Sequence, residues 1–314
     1  DSPRRHPAMA LRSAHGQDIR SMPALKQIID DPSATPILRA SALVQYGGLA
    51  PPDLSQTAGM LLASKNTLLR SSAVRASAPL PPTQRYLMLR TLINDPVQGV
   101  RMAVAEQLAT TPLQELRPQD LPPLLALFDE YESVLTEHAD MPSSQLQLAN
   151  YWFARGDIGR AEAALREALR LNPQLDPARV NLADVLRAQG REDEARTLLK
   201  QGIATSLAPG ALHHSLGLLE FREGNSATAI TELATAAELE SGGSRHRYVY
   251  AIALHDTGQP AQAFTLLEQL NQDQPGNPEV LSALISYAEE VGNVAKQGRY
   301  QGQLQGVLQS AGVR

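Results

Sequence analysis

The sequence predicts an all-α protein, a right-handed alpha-solenoid of stacked helical hairpins, and three observations carry that prediction. Glycine recurs every 34 residues, at Gly156, Gly190, Gly224, Gly258 and Gly292. Arginine recurs every 31 residues nearer the front, at Arg39, Arg70 and Arg101, inside the related segments ILRASAL, LLRSSAV and VRMAVAE. Strand signals are absent. A repeat of this length is one supersecondary unit that cannot bury its apolar face alone. Stacking neighbours buries a continuous core and leaves a long concave surface.

In chain order, residues 1–19 read as a tail or a partial first helix. Residues 20–117 read as three hairpins at 20–50, 53–80 and 82–112. Asp31-Pro32 and Asp95-Pro96 stand ahead of two of the arginine helices, and Pro51-Pro52, Pro79, Pro81-Pro82, Pro112, Pro118 and Pro122-Pro123 punctuate the rest. Proline cannot continue a helix, so each marks a boundary. An Asp-Pro turn before a helix carrying V/L-R-x-x-A/V resembles the HEAT repeat. The arginines could form a binding ladder; the preferred expectation is structural, with each capping carbonyls or pairing with the neighbouring unit's aspartate. Residues 118–141 read as a linker helix whose apolar stripe is Leu124, Leu125, Phe128, Tyr131 and Leu135.

Residues 142–314 read as five hairpins, at 142–175, 176–209, 210–243, 244–277 and 278–311. Each glycine suits the tight turn between two helices, where a left-handed conformation is cheap only without a Cβ. Small residues precede it by seven positions (Ala149, Ala183, Gly217, Ala251, then Ile285) and follow it by five (Ala161, Ala195, Ala229, Ala263, then Gln297). These are the places where the two helices of a hairpin cross closely. Leu165, Leu199, Leu233 and Leu267 follow in phase, and Gln301 breaks the series. The pattern resembles the tetratricopeptide repeat family over roughly 142–311. The fifth unit is polar in its second helix, as a terminal repeat facing water should be.

Composition removes several function classes. The chain holds no cysteine, so it offers no disulfide, zinc-thiolate site, cysteine nucleophile or thioether-linked haem. No run of 18 apolar residues spans a membrane, and no basic–apolar–small leader is seen. Residues 1–117 carry 13 Lys/Arg against 8 Asp/Glu, while 118–314 carry 15 against 25, a surplus of 10 negative charges. The basic stripe with stacking aromatics that nucleic acid would want is missing. Gly-rich phosphate loops, nucleophile elbows and paired-carboxylate motifs are also missing, so no catalytic residue is assigned. His213 and His214 are adjacent and point about 100° apart on a helix, and His246 and His255 lack a carboxylate at ligand spacing. No metal site is expected.

The first helix of each tetratricopeptide hairpin lines the concave side. Counting back from the glycines gives a candidate peptide-binding groove: Asn150 and Phe153, with Leu146, in the first unit; Asn181, Asp184 and Arg187 in the second; His214, Leu218, Phe221 and Arg222 in the third; Tyr248, Ile252 and His255, with Arg245, in the fourth. Ser282, Ser286 and Glu289 continue the face in the fifth. Aromatic anchors with sparse polar groups suit a protein or peptide ligand. The alternative is that Phe153, Phe221 and Tyr248 pack between repeats. Tetratricopeptide domains that clamp a C-terminal carboxylate use lysine and asparagine. Asn150 and Asn181 fit the asparagine positions, but Leu146, Ala211 and Ser215 stand where the basic residues belong, so that clamp is absent.

The order of parts narrows the resemblance. SPILRASAL and DPVQGVRMAVAEQLA, then NLADVLRAQGREDEARTLL, ALHHSLGLLEFREGN and YVYAIALHDTGQPAQAFTLLEQL, resemble the C-terminal region of bacterial multihaem c-type cytochrome proteins ending in HEAT and tetratricopeptide repeats. That resemblance implies a larger exported, periplasmic parent with c-type haem in an upstream domain, and this segment as its docking arm. No cofactor is assigned to the segment itself, although His6 is a conceivable distal haem ligand. The alternatives are a free-standing adaptor with no redox role, or an appendage of a catalytic domain elsewhere.

Overall fold

A computed structural model describes residues 7–239 and 244–313. His6 lies outside the described residues. Within them the chain is all-α, with no strand. The helices are α1 (Pro7–His15), α2 (Met22–Asp30), α3 (Pro36–Gly48), α4 (Leu54–Leu62), α5 (Thr67–Ala76), α6 (Pro82–Leu89), α7 (Gln98–Leu108) and α8 (Leu121–Glu137). Then follow α9 (Pro142–Ala154), α10 (Ile158–Leu171), α11 (Asp176–Ala188), α12 (Glu192–Ile203), α13 (Gly210–Arg222), α14 (Ser226–Leu239), α15 (Arg245–Asp256), α16 (Pro260–Asp273), α17 (Pro278–Glu290) and α18 (Val294–Ser310). Among the described residues no helix is long and apolar enough to cross a membrane.

The helices pack as two compact units, Asp1–Tyr131 with Gln274–Arg314, and Glu132–Asp273. In the first unit the recurring arginines cap and pair: Arg39 within its own hairpin, Arg70 and Arg101 onto the element that follows. Arg39 Nε donates to the Ile29 carbonyl at 2.8 Å. Arg70 reaches Asp95 with two hydrogen bonds, of 2.9 and 3.1 Å, and gives a third, of 2.8 Å, to the Ser64 carbonyl. Arg101 donates to the Asp95 carbonyl and pairs with Glu130 of α8. The sequence alternative of a binding ladder gives way here, because the guanidinium groups are occupied by capping and pairing. In α8, Leu124, Leu127, Phe128, Tyr131 and Leu135 are buried, whereas Leu125 is 43% exposed. The expected stripe is therefore wrong at Leu125: one residue past Leu124 is a 100° turn away, and Leu127 fills the i+3 place instead.

The hairpin α17–α18 belongs by packing to this first unit. Asn277 caps α17 by accepting from the Glu279 and Val280 amides. Gly276 supplies its carbonyl to the Ile19 amide at 3.2 Å. A Cβ at Gly276 would fall 1.7 Å from Asp18 Oδ1, so the contact between these two distant stretches of sequence requires glycine.

In the second unit, α9 to α16 form four hairpins in chain order, each packed against the next. The turns behave as their glycines demand: φ is 79° at Gly156, 73° at Gly190, 79° at Gly224 and 83° at Gly258. Gly292, in the first unit, shares the conformation at 65°. Ala149, Ala161, Ala183, Ala195, Ala229, Ala251 and Ala263 are all buried at the crossings, as are Leu165, Leu199, Leu233 and Leu267. Gly217 marks a close crossing, since a Cβ there would lie 2.7 Å from Leu233 Cγ.

Candidate functional site

The first helices α9, α11, α13 and α15 carry the predicted groove residues, with α10, α12, α14 and α16 as their hairpin partners. Between α9 and α11 lies a cleft of about 260 Å³. Its lining is Ala149, Asn150 and Phe153 from α9, Leu165 from α10, and Asn181, Asp184 and Val185 from α11. Four of the predicted residues thus converge on one place. Phe153 is 46% exposed, so nearly half of it faces solvent. Asn181 Nδ2 donates to Asn150 Oδ1 at 2.7 Å. Asn150 Nδ2 and Asn181 Oδ1 have no hydrogen-bond partner among the described residues, leaving a donor and an acceptor side by side.

Asp184 is largely exposed, with Arg187 Nε 3.6 Å away. That is too long for a hydrogen bond, and Arg187 Nε is buried with no hydrogen-bond partner. Two arginines behind the face are used structurally. Arg179 is buried, donating to the Pro173 carbonyl at 2.8 Å and lying 3.3 Å from Asp176. Arg196 pairs at 2.7 Å with Glu220, which is only 3% exposed and also accepts from Asn225. Burial pushes the Glu220 carboxyl up, but the Asn225 and Arg196 hydrogen bonds outweigh it and hold the group below the usual carboxylate range.

Leu218, Phe221, Tyr248, Ile252 and His255 are half-buried, and Arg222 is exposed. His213 turns the other way and meets Glu232 of α14 at 2.6 Å. His214 stacks on His246, ring centroids 4.3 Å apart and planes 23° from parallel. Counting from the glycines selected His214 and passed over His246. The spacing explains the omission: Asn150 meets Asn181 at 31 residues and His214 meets His246 at 32, not at 34. The facing positions on these successive first helices are offset by about one turn. Ser282, Ser286 and Glu289 are exposed on α17, within the other unit.

Burial, then the charges of His246 and Arg245, push the His214 imidazole down from 6.5 to about 4. Its Nδ1 is buried with no hydrogen-bond partner. Between those two values the unfolded chain binds a proton that the folded chain refuses, so stability falls as pH drops from 6.5 towards 4. With solvent screening at this partly exposed ring, the loss should be about 1–2 kcal/mol. Urea melts of wild type and His214→Gln at pH 7 and pH 4.5 would measure it; equal pH dependence of the two proteins would refute it.

Comparison with known proteins fits this geometry. Residues 152–213 match one tetratricopeptide repeat family model and residues 214–278 another. This stretch therefore carries tetratricopeptide repeats. The TPR repeat-containing protein PA4299 of Pseudomonas aeruginosa is 38% identical over 119 residues, 38% of this chain and 48% of that protein. The match spans about half the length of that curated relative. Among solved structures, PilW, titled a widely conserved type IV pilus biogenesis factor, aligns with a TM-score of 0.50 at 18% identity, covering 65% of this chain and 92% of its own. YrrB, titled a TPR protein with an unusual peptide-binding site, aligns with a TM-score of 0.42 at 17% identity over 57% and 94%. At such identities the PilW likeness shows the fold alone.

Proposed function

We propose that the chain is a non-catalytic protein-interaction scaffold whose repeat array takes an extended protein segment along the α9–α11–α13–α15 face. The observation that carries this is the convergence of Asn150, Phe153, Asn181 and Asp184 on one cleft. An unpaired amide donor beside an unpaired acceptor suits a peptide main chain, which presents the same two groups. A half-exposed phenyl ring suits an apolar contact. A preformed face reduces the ordering that binding would otherwise require.

The test is to identify the co-purifying partner from the native source and titrate it calorimetrically. Phe153→Ala should weaken binding by about 1–2 kcal/mol and leave the melting temperature nearly unchanged, because the ring is half in solvent. Unaltered affinity would refute the assignment of this face. Phe221→Ala, on a half-buried ring, should lower affinity and stability together.

The finer form of this reading makes the segment a docking arm of an exported, periplasmic multihaem cytochrome. Its support is the order of the segments along the sequence. Intact mass and the visible spectrum of the native protein decide it. A mass well above 33.9 kDa with a Soret band favours the arm; a mass near that value without a chromophore leaves a free adaptor.

A further inference from the structure

We infer that the cleft between α9 and α11 is a specificity pocket for an arginine side chain of the bound segment. This rests on the groove reading above and names what the groove selects. The cleft, at about 260 Å³, is below the roughly 300–1,000 Å³ of small-molecule sites, so it suits one side chain rather than a whole metabolite.

Three features of its lining match one long cationic side chain. The floor is apolar, with Leu165 and Val185, which suits a methylene stem. The Phe153 ring stands 46% exposed at the rim, and an aromatic face attracts a guanidinium laid over it. Asp184 is the only charged residue in the lining, and its side chain is 55% exposed. A planar guanidinium can stack on the ring and fork onto the carboxylate together, which a compact ammonium cannot do as well. The resident cation, Arg187, stays at 3.6 Å and leaves the carboxylate's hydrogen-bonding sites open. Long-range charge acts in the same sense, because residues 118–314 carry 25 Asp/Glu against 15 Lys/Arg.

Asn150 and Asn181 sit in the same lining and hold the main chain beside that pocket. The occupant is therefore an extended peptide with an arginine at one fixed position. Main-chain contacts give affinity without regard to sequence; Asp184 and Phe153 add the choice.

The experiment uses the full chain immobilised and a position-scanning library of acetylated, amidated heptapeptides, each pool with one residue fixed. Wild type should retain the fixed-arginine pool at one position roughly tenfold better than the fixed-leucine or fixed-glutamate pool there. Asp184→Asn should remove that preference while leaving the remaining retention in place. Asp184→Lys should turn it towards glutamate. Both substitutions fall on an exposed side chain, and circular dichroism confirms the fold. Retention of other pools with no arginine preference, or a preference that survives Asp184→Asn, overturns the pocket and leaves the groove standing. If no pool is retained by wild type, the groove reading falls and the pocket with it.

Discussion

Arg70→Ala should lower the stability of the first unit by about 3–5 kcal/mol, because it strands a buried carboxylate. The Asp95 side chain is only 3% exposed and the Arg70 side chain 11%. The guanidinium forks onto both carboxylate oxygens and also satisfies the Ser64 carbonyl, so its loss leaves several acceptors unpaired. Much of the effect is the desolvation of Asp95 rather than the worth of the pair. Arg70→Ala combined with Asp95→Asn should therefore recover part of the loss, since a neutral amide is cheaper to bury. Chemical denaturation of the four proteins of this cycle measures the coupling. If Arg70→Ala cost less than 1 kcal/mol, the pair would be no more than a surface ion pair.

The same pair gives an acid limb. Burial pushes the Asp95 carboxyl up, yet the Arg70 hydrogen bond, the Val97 amide and the charges of Arg70 and Arg101 together hold it below 3.8. A folded value depressed in this way contributes stability that is present above the unfolded value, about 3.9. The contribution is lost as pH falls through the folded value. Asp95→Asn should flatten that limb.

How much of this was legible in the sequence follows from which contacts are local. Hairpin crossings and turns depend on residues within one repeat, so Gly156, Ala161 and Leu165 could be placed by phase alone. The arginine roles were also accessible, because the alternatives for Arg39, Arg70 and Arg101 were few; the aspartate partner holds for Arg70, while Arg39 caps the Ile29 carbonyl and Arg101 pairs with Glu130. Leu125 was misplaced because leucines at adjacent positions look equivalent in a composition count, and only helical phase separates them. The second residue of the His214–His246 stack was missed for a different reason. Its spacing depends on how far neighbouring first helices are offset, which is a property of packing between repeats and is not carried by any one of them. The packing of α17–α18 with the front unit was hidden for the same reason. That contact turns on Gly276 against Asp18, residues with no pattern linking them.

The crossing of α13 and α14 offers the clearest test of packing between repeat helices. Leu233→Ala should cost about 2–5 kcal/mol, the range for removing a buried leucine, since Leu233 has no exposed surface. Gly217→Ala acts in two directions. Alanine favours the helix by about 1 kcal/mol over glycine, but its Cβ would sit 2.7 Å from Leu233 Cγ and 2.9 Å from Cδ2. Overpacking of this kind costs about 1–3 kcal/mol, so the single substitution should be mildly destabilising despite the propensity gain. In the Leu233→Ala background the two opposing side-chain atoms are gone, and the new methyl, with only the residue 233 backbone nitrogen left at 3.1 Å, enters the cavity that leucine left. Gly217→Ala should then become stabilising, and the double variant should melt above Leu233→Ala. A change of sign between the two backgrounds, read by urea denaturation, belongs to steric contact at the crossing. If Gly217→Ala has the same effect in both, the close approach of α13 and α14 is not what selects glycine there.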